Sequence, residues 1–297
     1  MKKLVVICGP TATGKTKLGI ELAKKFNGEI LSADSRQVYK GMDIGTGKEI
    51  NYFQWGIDLI EPDYQFNVSD YVKYAQRVLK DIWSRGKLPI IIGGTGLYIK
   101  ELLRPSETLH IPPNKKLRRK LEKFSLEKLQ KELQKKNPEK WNSMNYSDQQ
   151  NSRRLIRAIE IALQGLDPCN CKKTDVLIIG LTAPYKYLYQ RIDKRVDKRI
   201  KNGMAEEKER LKRYKKLPKT LGYSDETAEE WKFAEHAYTR RQLIYFRKYF
   251  PEALWFDISH PTNLVQKVEK VVKDYLDGSN HRNGQKEAYG PEYLATD

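Results

Sequence analysis

The chain opens on an unbroken apolar run, Leu4-Val5-Val6-Ile7, which predicts a buried strand over Lys3–Cys8. "GPTATGKT", residues 9–16, follows, and then Leu18, Leu22 and Phe26 recur at helical spacing until Asn27-Gly28 stops the helix. A second strand is predicted over residues 29–33, ending at Asp34, and a third over 88–92, ending in Gly93-Gly94-Thr95-Gly96. Between them the pattern predicts a helix over 70–85, with Ser69 as N-cap and Val72, Ala75, Leu79 and Trp83 facing inward. Strands alternating with helices imply an α/β fold: a P-loop NTPase-like parallel sheet flanked by helices, with ligands at the carboxyl ends of the strands.

The texture changes near Ile111. Pro112-Pro113 breaks the chain, residues 114–137 are rich in Lys, Leu and Glu with a helical period, and strand signals vanish until "DVLIIGL" at 175–181. This predicts an all-helical insertion domain over 112–173, between a first core segment (1–111) and its completion (174–277). Residues from Gly278 to the end (278–297) are polar and are expected to form a flexible tail. Leu188, Ile192, Val196 and Ile200 stand at successive i+4 positions of the next helix, with Arg191, Arg195 and Arg199 on the adjoining stripe. Helices near 204–216 and 225–249, a strand over 254–258 and a helix over 263–276 complete the pattern, with no internal repeat.

Composition bounds what this pattern can build. A chain of 297 residues with 39% hydrophobic content suffices for one large α/β domain carrying an insertion, or for two modest domains. Lys and Arg number 56 against 38 Asp and Glu, a formal charge of +18 that suits a polyanionic partner as well as a generally lysine-rich surface. Three cysteines, Cys8, Cys169 and Cys171, leave one unpaired in any disulfide scheme, and no Cys/His spacing fits a zinc site. The chain therefore reads as reduced and cytoplasmic, and Cys169 and Cys171 are assigned no role. No charged n-region with an apolar h-region opens the sequence, and no apolar run approaches membrane-spanning length, so neither secretion nor membrane insertion is expected.

The octet after the first strand fits G-x-x-x-x-G-K-[ST] at Gly9, Gly14, Lys15 and Thr16, with Pro10, Thr11, Ala12 and Thr13 between. Its glycines let backbone amides converge on an anion, the following helix directs its positive end there, Lys15 adds a charge, and the Thr16 hydroxyl can ligate Mg²⁺. This is the loop of many nucleotide- and ATP-binding proteins. A P-loop NTPase, however, normally carries a Walker-B Asp at the end of a second buried strand, and here the strand over 88–92 ends in "GGTG". Asp34 is the only acid at a strand end. It could belong to a metal shell, act as a base facing a substrate, or simply cap a turn.

Beyond Asp34 the motifs become specific. "SADSRQVYKGMDIGTGK" (32–48), "GPTATGKT" and "IIGGTGLYIKELL" (91–103), echoed by "NSRRLIRAIE" (151–160), "RIDKRVDKRIKNGMAEE" (191–207), "LGY" (221–223) and "RRQLIYFR" (240–247), resemble the tRNA dimethylallyltransferase (tRNA isopentenyltransferase) family. The resemblance covers roughly residues 3–258. It implies transfer of a five-carbon prenyl group from dimethylallyl diphosphate to the exocyclic amine of the adenosine 3′ of a tRNA anticodon, with Mg²⁺ and release of diphosphate. It further implies that Asp34, Ser35, Arg36 and Gln37 hold the target base, that Thr95 lies close to it, that Arg118 contacts tRNA and that Lys219 is a pyrophosphate ligand. Family members look monomeric, so a monomer is expected. Residue chemistry agrees: an allylic diphosphate ionises when converging amides, Lys15 and Mg²⁺ on Thr16 stabilise the leaving group, and Asp34 beside the loop can accept the amine proton.

A base stacked in an anticodon loop must be flipped out to reach such a pocket, so the helical regions are expected to grip the stem-loop. Arg153, Arg154 and Arg157 lie off the Leu155/Ile159/Leu163 stripe, and Arg240, Arg241, Arg247 and Lys248 interleave with Tyr238, Tyr245, Phe246 and Tyr249. Three places depart from the family's pattern: Gln54-Trp55-Gly56 stands where a His pair is common, Glu235-His236 where Thr-Arg is usual, and Lys219 where some members have Arg. Rival readings are an adenylate isopentenyltransferase, which would not need a long basic insertion, a P-loop kinase, which would want the Walker-B carboxylate, and an RNA-binding module, which would leave the phosphate loop idle.

Overall fold

The computed structural model describes residues 2–164, 175–260 and 262–279. Cys169, Cys171, the close of the expected insertion and nearly all of the expected tail lie outside the described residues. Contacts divide the chain into two units, one of residues 1–103 and 173–297, the other of residues 104–172. The division precedes Pro112-Pro113 because residues 108–111 are tied into the second unit, where Arg157 Nη2 donates to the carbonyls of Thr108 (2.8 Å) and Ile111 (2.9 Å).

In the first unit the elements run β1 (Lys3–Cys8), α1 (Lys15–Lys25), β2 (Gly28–Ser32), β3 (Gln54–Trp55), α2 (Val68–Ser84), β4 (Leu88–Gly93) and α3 (Gly96–Leu103) before the second unit. After it come β5 (Asp175–Thr182), α9 (Tyr185–Lys201), α10 (Met204–Leu211), α11 (Ala228–Tyr249), β6 (Leu254–Asp257) and α12 (Leu264–Asp277). The strands form one parallel sheet in the order β3-β2-β4-β1-β5-β6. β1 and β4 are almost wholly buried, which is why they read as unbroken apolar runs. Their side chains join Leu18 and Leu22 of α1 and Val268, Val272 and Tyr275 of α12 in one core. Burial pushes the Cys8 thiol at the end of β1 up to about 12, so it stays a protonated, packed side chain.

Several expectations need correction. The cap of α2 is Asn67, not Ser69: its side chain accepts from the amides of Ser69 (2.8 Å) and Asp70 (3.2 Å), while the Asp70 carboxylate accepts from the amide of Asn67 (3.0 Å). Trp83 is only half-buried, and Ile82 takes the inward place. On α9 the i+4 series drifts by about 40° per step, since a residue turns about 100°. Leu188, Ile192 and Val196 are buried, but Ile200 is 43% exposed and Arg199 is buried in its stead. β3, only two residues long, was not among the expected strands and forms the sheet edge.

The second unit is helical: α4 (Lys115–Leu121), α5 (Leu126–Lys136), α6 (Pro138–Ser143), α7 (Tyr146–Gln149) and α8 (Ser152–Gln164). Asn114, Ser125, Asn137 and Asn145 each accept from the amide three residues on, and so set four successive helix starts. The core gathers Leu121, Leu129, Leu133, Met144, Leu155, Ile156 and Ile159. Leu163, expected on the buried stripe, is 50% exposed, by the same drift.

Candidate active site

β1 delivers the chain to a loop whose backbone is left-handed at three places: Gly9 (φ 136°), Ala12 (φ 62°) and Gly14 (φ 85°). At Gly9 a side chain is impossible, since a Cβ would sit 2.3 Å from the carbonyl oxygen of Leu181. Gly14 caps α1 without any side-chain hydrogen bond, and no acid stands in the helix's first turn. The first amides of α1 are thus left for an external anion. Lys15 Nζ folds back on the Pro10 carbonyl (2.6 Å), and Thr13 Oγ1 donates to the same oxygen (2.9 Å).

Around the loop lies a cleft of about 530 Å³, lined among others by Thr11, Ala12, Gly14, Lys15, Thr16, Asp34 and Gln37. Strand ends supply it: Asp34 follows β2, and Gly93-Gly94 close β4. Asp34 Oδ1 accepts the amide of Arg36 (2.8 Å), shaping the turn that carries Ser35, Arg36 and Gln37. Thr95 ties that turn to the end of β4, its Oγ1 accepting from the Ser35 amide (3.0 Å). Gln37 accepts from Ser32 Oγ (3.0 Å) and turns its amide toward the carbonyls of Thr46 (3.5 Å) and Gly47 (3.4 Å). The four residues expected around the target base thus follow one another in a single turn, which Thr95 ties to β4 through Ser35 and Gln37 ties to Ser32 and residues 46–47.

Four residues that composition and spacing did not single out for this site complete it. Arg191 Nε donates to the Ala12 carbonyl (2.8 Å), Arg195 Nη1 donates to Thr11 Oγ1 (2.8 Å), and Lys194 lines the same cleft. One face of α9 therefore meets the phosphate loop. Gln242 of α11 accepts from the Thr11 amide (2.9 Å) and donates to the Gly94 carbonyl (2.8 Å), joining that loop to the end of β4. Its signal was the "RRQ" run, and that of the basic face was the Arg191/Arg195/Arg199 stripe.

Burial, and then the neighbouring Arg195, push Lys15 down to about 8. Burial, and then Arg199, push Arg195 down to about 10. Asp34 opposes both shifts without cancelling them, so the protein alone leaves this region short of negative charge. Lys219 is exposed and does not line the cleft. Among the described residues no three His, Cys, Asp or Glu side chains gather as a metal site would need.

The other expected contact residues fall into two kinds. Arg118 and Arg157 both bind Glu160, which is fully buried: Arg118 Nη2 at 2.6 Å and Arg157 Nη1 at 2.5 Å. Arg157 therefore does not turn outward as expected. Arg153 is exposed, and Arg154 is exposed while paired with Asp148. Arg240 and Arg241 are exposed on α11, over the rings of Tyr189 and Tyr238. Phe246 is core and offers no face to a base. Two of the residues departing from the family's pattern have partners of their own: Glu235 pairs with Arg199 (3.2 Å), and His236 Nε2 meets Asp193 Oδ1 (2.8 Å) under the ring of Tyr189.

The family described as IPP transferase matches residues 37–249, and that described as isopentenyl transferase matches residues 2–53. The chain is 37% identical to the tRNA dimethylallyltransferase of Anoxybacillus flavithermus, over 94% of this chain and 98% of that protein. It is 44% identical to tRNA dimethylallyltransferase 1 of Geotalea daltonii, over 70% of this chain and 69% of that protein. Its structure is similar to that of the full-length tRNA isopentenylpyrophosphate transferase from Bacillus halodurans, with a TM-score of 0.68 and 32% identity over 94% of this chain and 98% of that one.

Proposed function

This chain belongs to the IPP transferase family and is a prenyltransferase of the tRNA dimethylallyltransferase type, and we propose that it transfers a dimethylallyl group from dimethylallyl diphosphate to the exocyclic N6 amine of the adenosine 3′ of the anticodon in tRNA, releasing diphosphate. One observation carries the reading: the cleft is lined by Lys15, Arg191, Lys194 and Arg195 together with the phosphate loop, and also by Asp34 at the end of β2.

The allylic C–O bond breaks with its electron pair going to the diphosphate oxygen. The loop amides, Lys15, Arg191 and Arg195 stabilise that charge, and they are fixed before it develops. The N6 lone pair forms the new C–N bond, and its proton passes to the Asp34 carboxylate. Ser35, Arg36, Gln37 and Thr95 hold the flipped base. Arg153, Arg154, Arg240 and Arg241, which are exposed, meet tRNA phosphates, whereas Arg118 is paired with Glu160 as Arg157 is. Mg²⁺ belongs to this reading and fits the residues present, because it needs few protein ligands when substrate phosphates and water complete its shell. Thr16, which lines the cleft, would hold it. When bound, the ion neutralises charge on the leaving diphosphate. Among the described residues no helix is long and apolar enough to cross a membrane, and the reading takes the enzyme as a cytoplasmic monomer.

The test is a matrix of labelled donors and acceptors: dimethylallyl diphosphate or ATP, each with tRNA or AMP. Label from dimethylallyl diphosphate should enter tRNA alone and appear as N6-dimethylallyladenosine after digestion. Label in AMP, or from ATP, would overturn the assignment.

A further inference from the structure

Glu207 has no place in the chemistry above, yet it is fully buried and makes four hydrogen bonds. From α10 its Oε2 accepts the amides of Asp43 (3.0 Å) and Ile44 (2.8 Å), and its Oε1 accepts the amide of Gly45 (3.0 Å) and the hydroxyl of Tyr223. Residues 43–45 lead directly into Thr46 and Gly47, whose carbonyls face the Gln37 amide. Gly47 also closes the other side, since a Cβ there would meet Arg195 Nη2 at 2.3 Å and Arg199 Nη2 at 2.4 Å. Tyr223 packs against Gly45 so closely that a Cβ would lie 2.5 Å from its ring. A single stretch of backbone therefore spans from Gln37, on the side assigned to the base, to Arg195, on the side assigned to the diphosphate.

We propose that Glu207 is a positioning residue for prenyl transfer: by holding the amides of residues 43–45, with Tyr223 closing the carboxylate, it sets the separation between Gln37 and Arg195 and so the alignment of acceptor with donor. This rests on the reading under "Proposed function". A carboxylate suits the task because it accepts all four hydrogen bonds and presents no donor. An amide in its place keeps the pair on one oxygen and sets an N–H₂ against the Gly45 amide. The segment then moves while both binding surfaces persist, so the loss falls on the chemical step. A misplacement of about 1 Å costs on the order of 100-fold.

Glu207→Gln and Tyr223→Phe are measured beside the wild type by single-turnover prenylation per tRNA-binding-competent enzyme, well below every melting temperature, with hydrogen exchange followed over residues 40–48. Glu207→Gln should slow transfer on the order of 10- to 100-fold, leave donor KM and tRNA Kd within about twofold, and speed exchange in that stretch. Tyr223→Phe, which removes one donor and keeps the three amides, should shift both readouts the same way and less, and it carries the test if Glu207→Gln does not fold. Wild-type turnover in the variants, unchanged exchange, or a loss confined to KM would overturn the proposal. Absence of transfer by the wild type would instead overturn the proposed function, while the exchange result would still report on the anchor.

Discussion

Two helices carry the same signature, arginines spaced by three or four residues beside an apolar stripe, and use it in opposite ways. On α8 of the second unit Arg157 turns inward to the buried Glu160 carboxylate, which it shares with Arg118. On α9 of the first unit Arg195 bonds, among the described residues, to the neutral Thr11 hydroxyl, beside Lys15 and Arg199, and burial drives its proton affinity down although Glu235 and Asp34 partly oppose the shift. A guanidinium answered by a fully buried carboxylate is neutralised inside the fold, and removing either partner strands a buried charge. One held without such an answer is completed by an anionic ligand. The difference lies in the partner that folding brings, and the carboxylates divide likewise: Glu160 is saturated by Arg118, Arg157 and the Asn114 amide, whereas Asp34 lines the cleft.

Asp34→Asn should produce the largest effect, since the amide keeps the shape of the turn but cannot take the proton. Single-turnover prenylation at saturating tRNA should fall by about 10²- to 10⁴-fold with tRNA binding retained. A rate near wild type sinks the base assignment, and recovery across a Mg²⁺ series would move Asp34 into a metal shell. Arg195→Gln comes next, with an expected loss of about 10²- to 10³-fold in transfer, because it removes a fixed donor to the leaving diphosphate. Equal loss of tRNA affinity would erase the contrast between the two helices.

The pH dependence follows from Lys15. Below about 8 it is charged and attracts the donor, and above that value the unliganded site loses the charge. Binding of inorganic diphosphate, titrated from pH 7 to 9, should therefore weaken toward about tenfold per unit on the alkaline side, and Lys15→Met should flatten the curve. A flat wild-type profile contradicts the role of burial at Lys15. Opposite in sign, Glu160 is an acid whose proton affinity burial would raise, but the hydrogen bonds from Arg118, Arg157 and the Asn114 amide lower it overall. Its stabilising contribution is present above its ordinary value of 4.5 and is lost as pH falls through its lower folded value, so thermal stability should drop on that acid limb. Glu160→Gln should remove this limb, and an unaltered acid profile would show that the cluster is not structural.

The smallest effect is expected at Arg153 and Arg154. Replacing both by Gln should lower the salt slope of tRNA binding by roughly one counterion each. Arg157→Gln should leave the slope unchanged while reducing stability. The reverse pattern would place Arg157 on the RNA.

What could be read from the sequence was local. The phosphate loop, the buried strands and Asp34 at a strand end follow from runs of a few residues, and so did the parallel sheet. The choice between Asn67 and Ser69 as a cap turned on the residue three positions on: Asp70 completes a box with Asn67, whereas Val72 offers Ser69 nothing. Other features depended on distant packing. Arg191 and Arg195 reach the phosphate loop across 179 and 184 residues of chain, and Glu207 reaches Gly45 across 162. Spacing marked Arg153, Arg154 and Arg157 as equivalent, but only the fold shows that the third meets Glu160 and a turn over 108–111.

The central claim is that cations held without a carboxylate at the phosphate loop take the donor diphosphate, and that those paired to Glu160 do not. Calorimetric titration of inorganic diphosphate with Mg²⁺ into the wild type, Arg195→Gln and Arg157→Gln tests it directly. Arg195→Gln should weaken binding by at least about tenfold, the scale of one lost charge-assisted hydrogen bond, while Arg157→Gln stays within about twofold of the wild type. Equal weakening in both variants, or none at Arg195, would contradict the account.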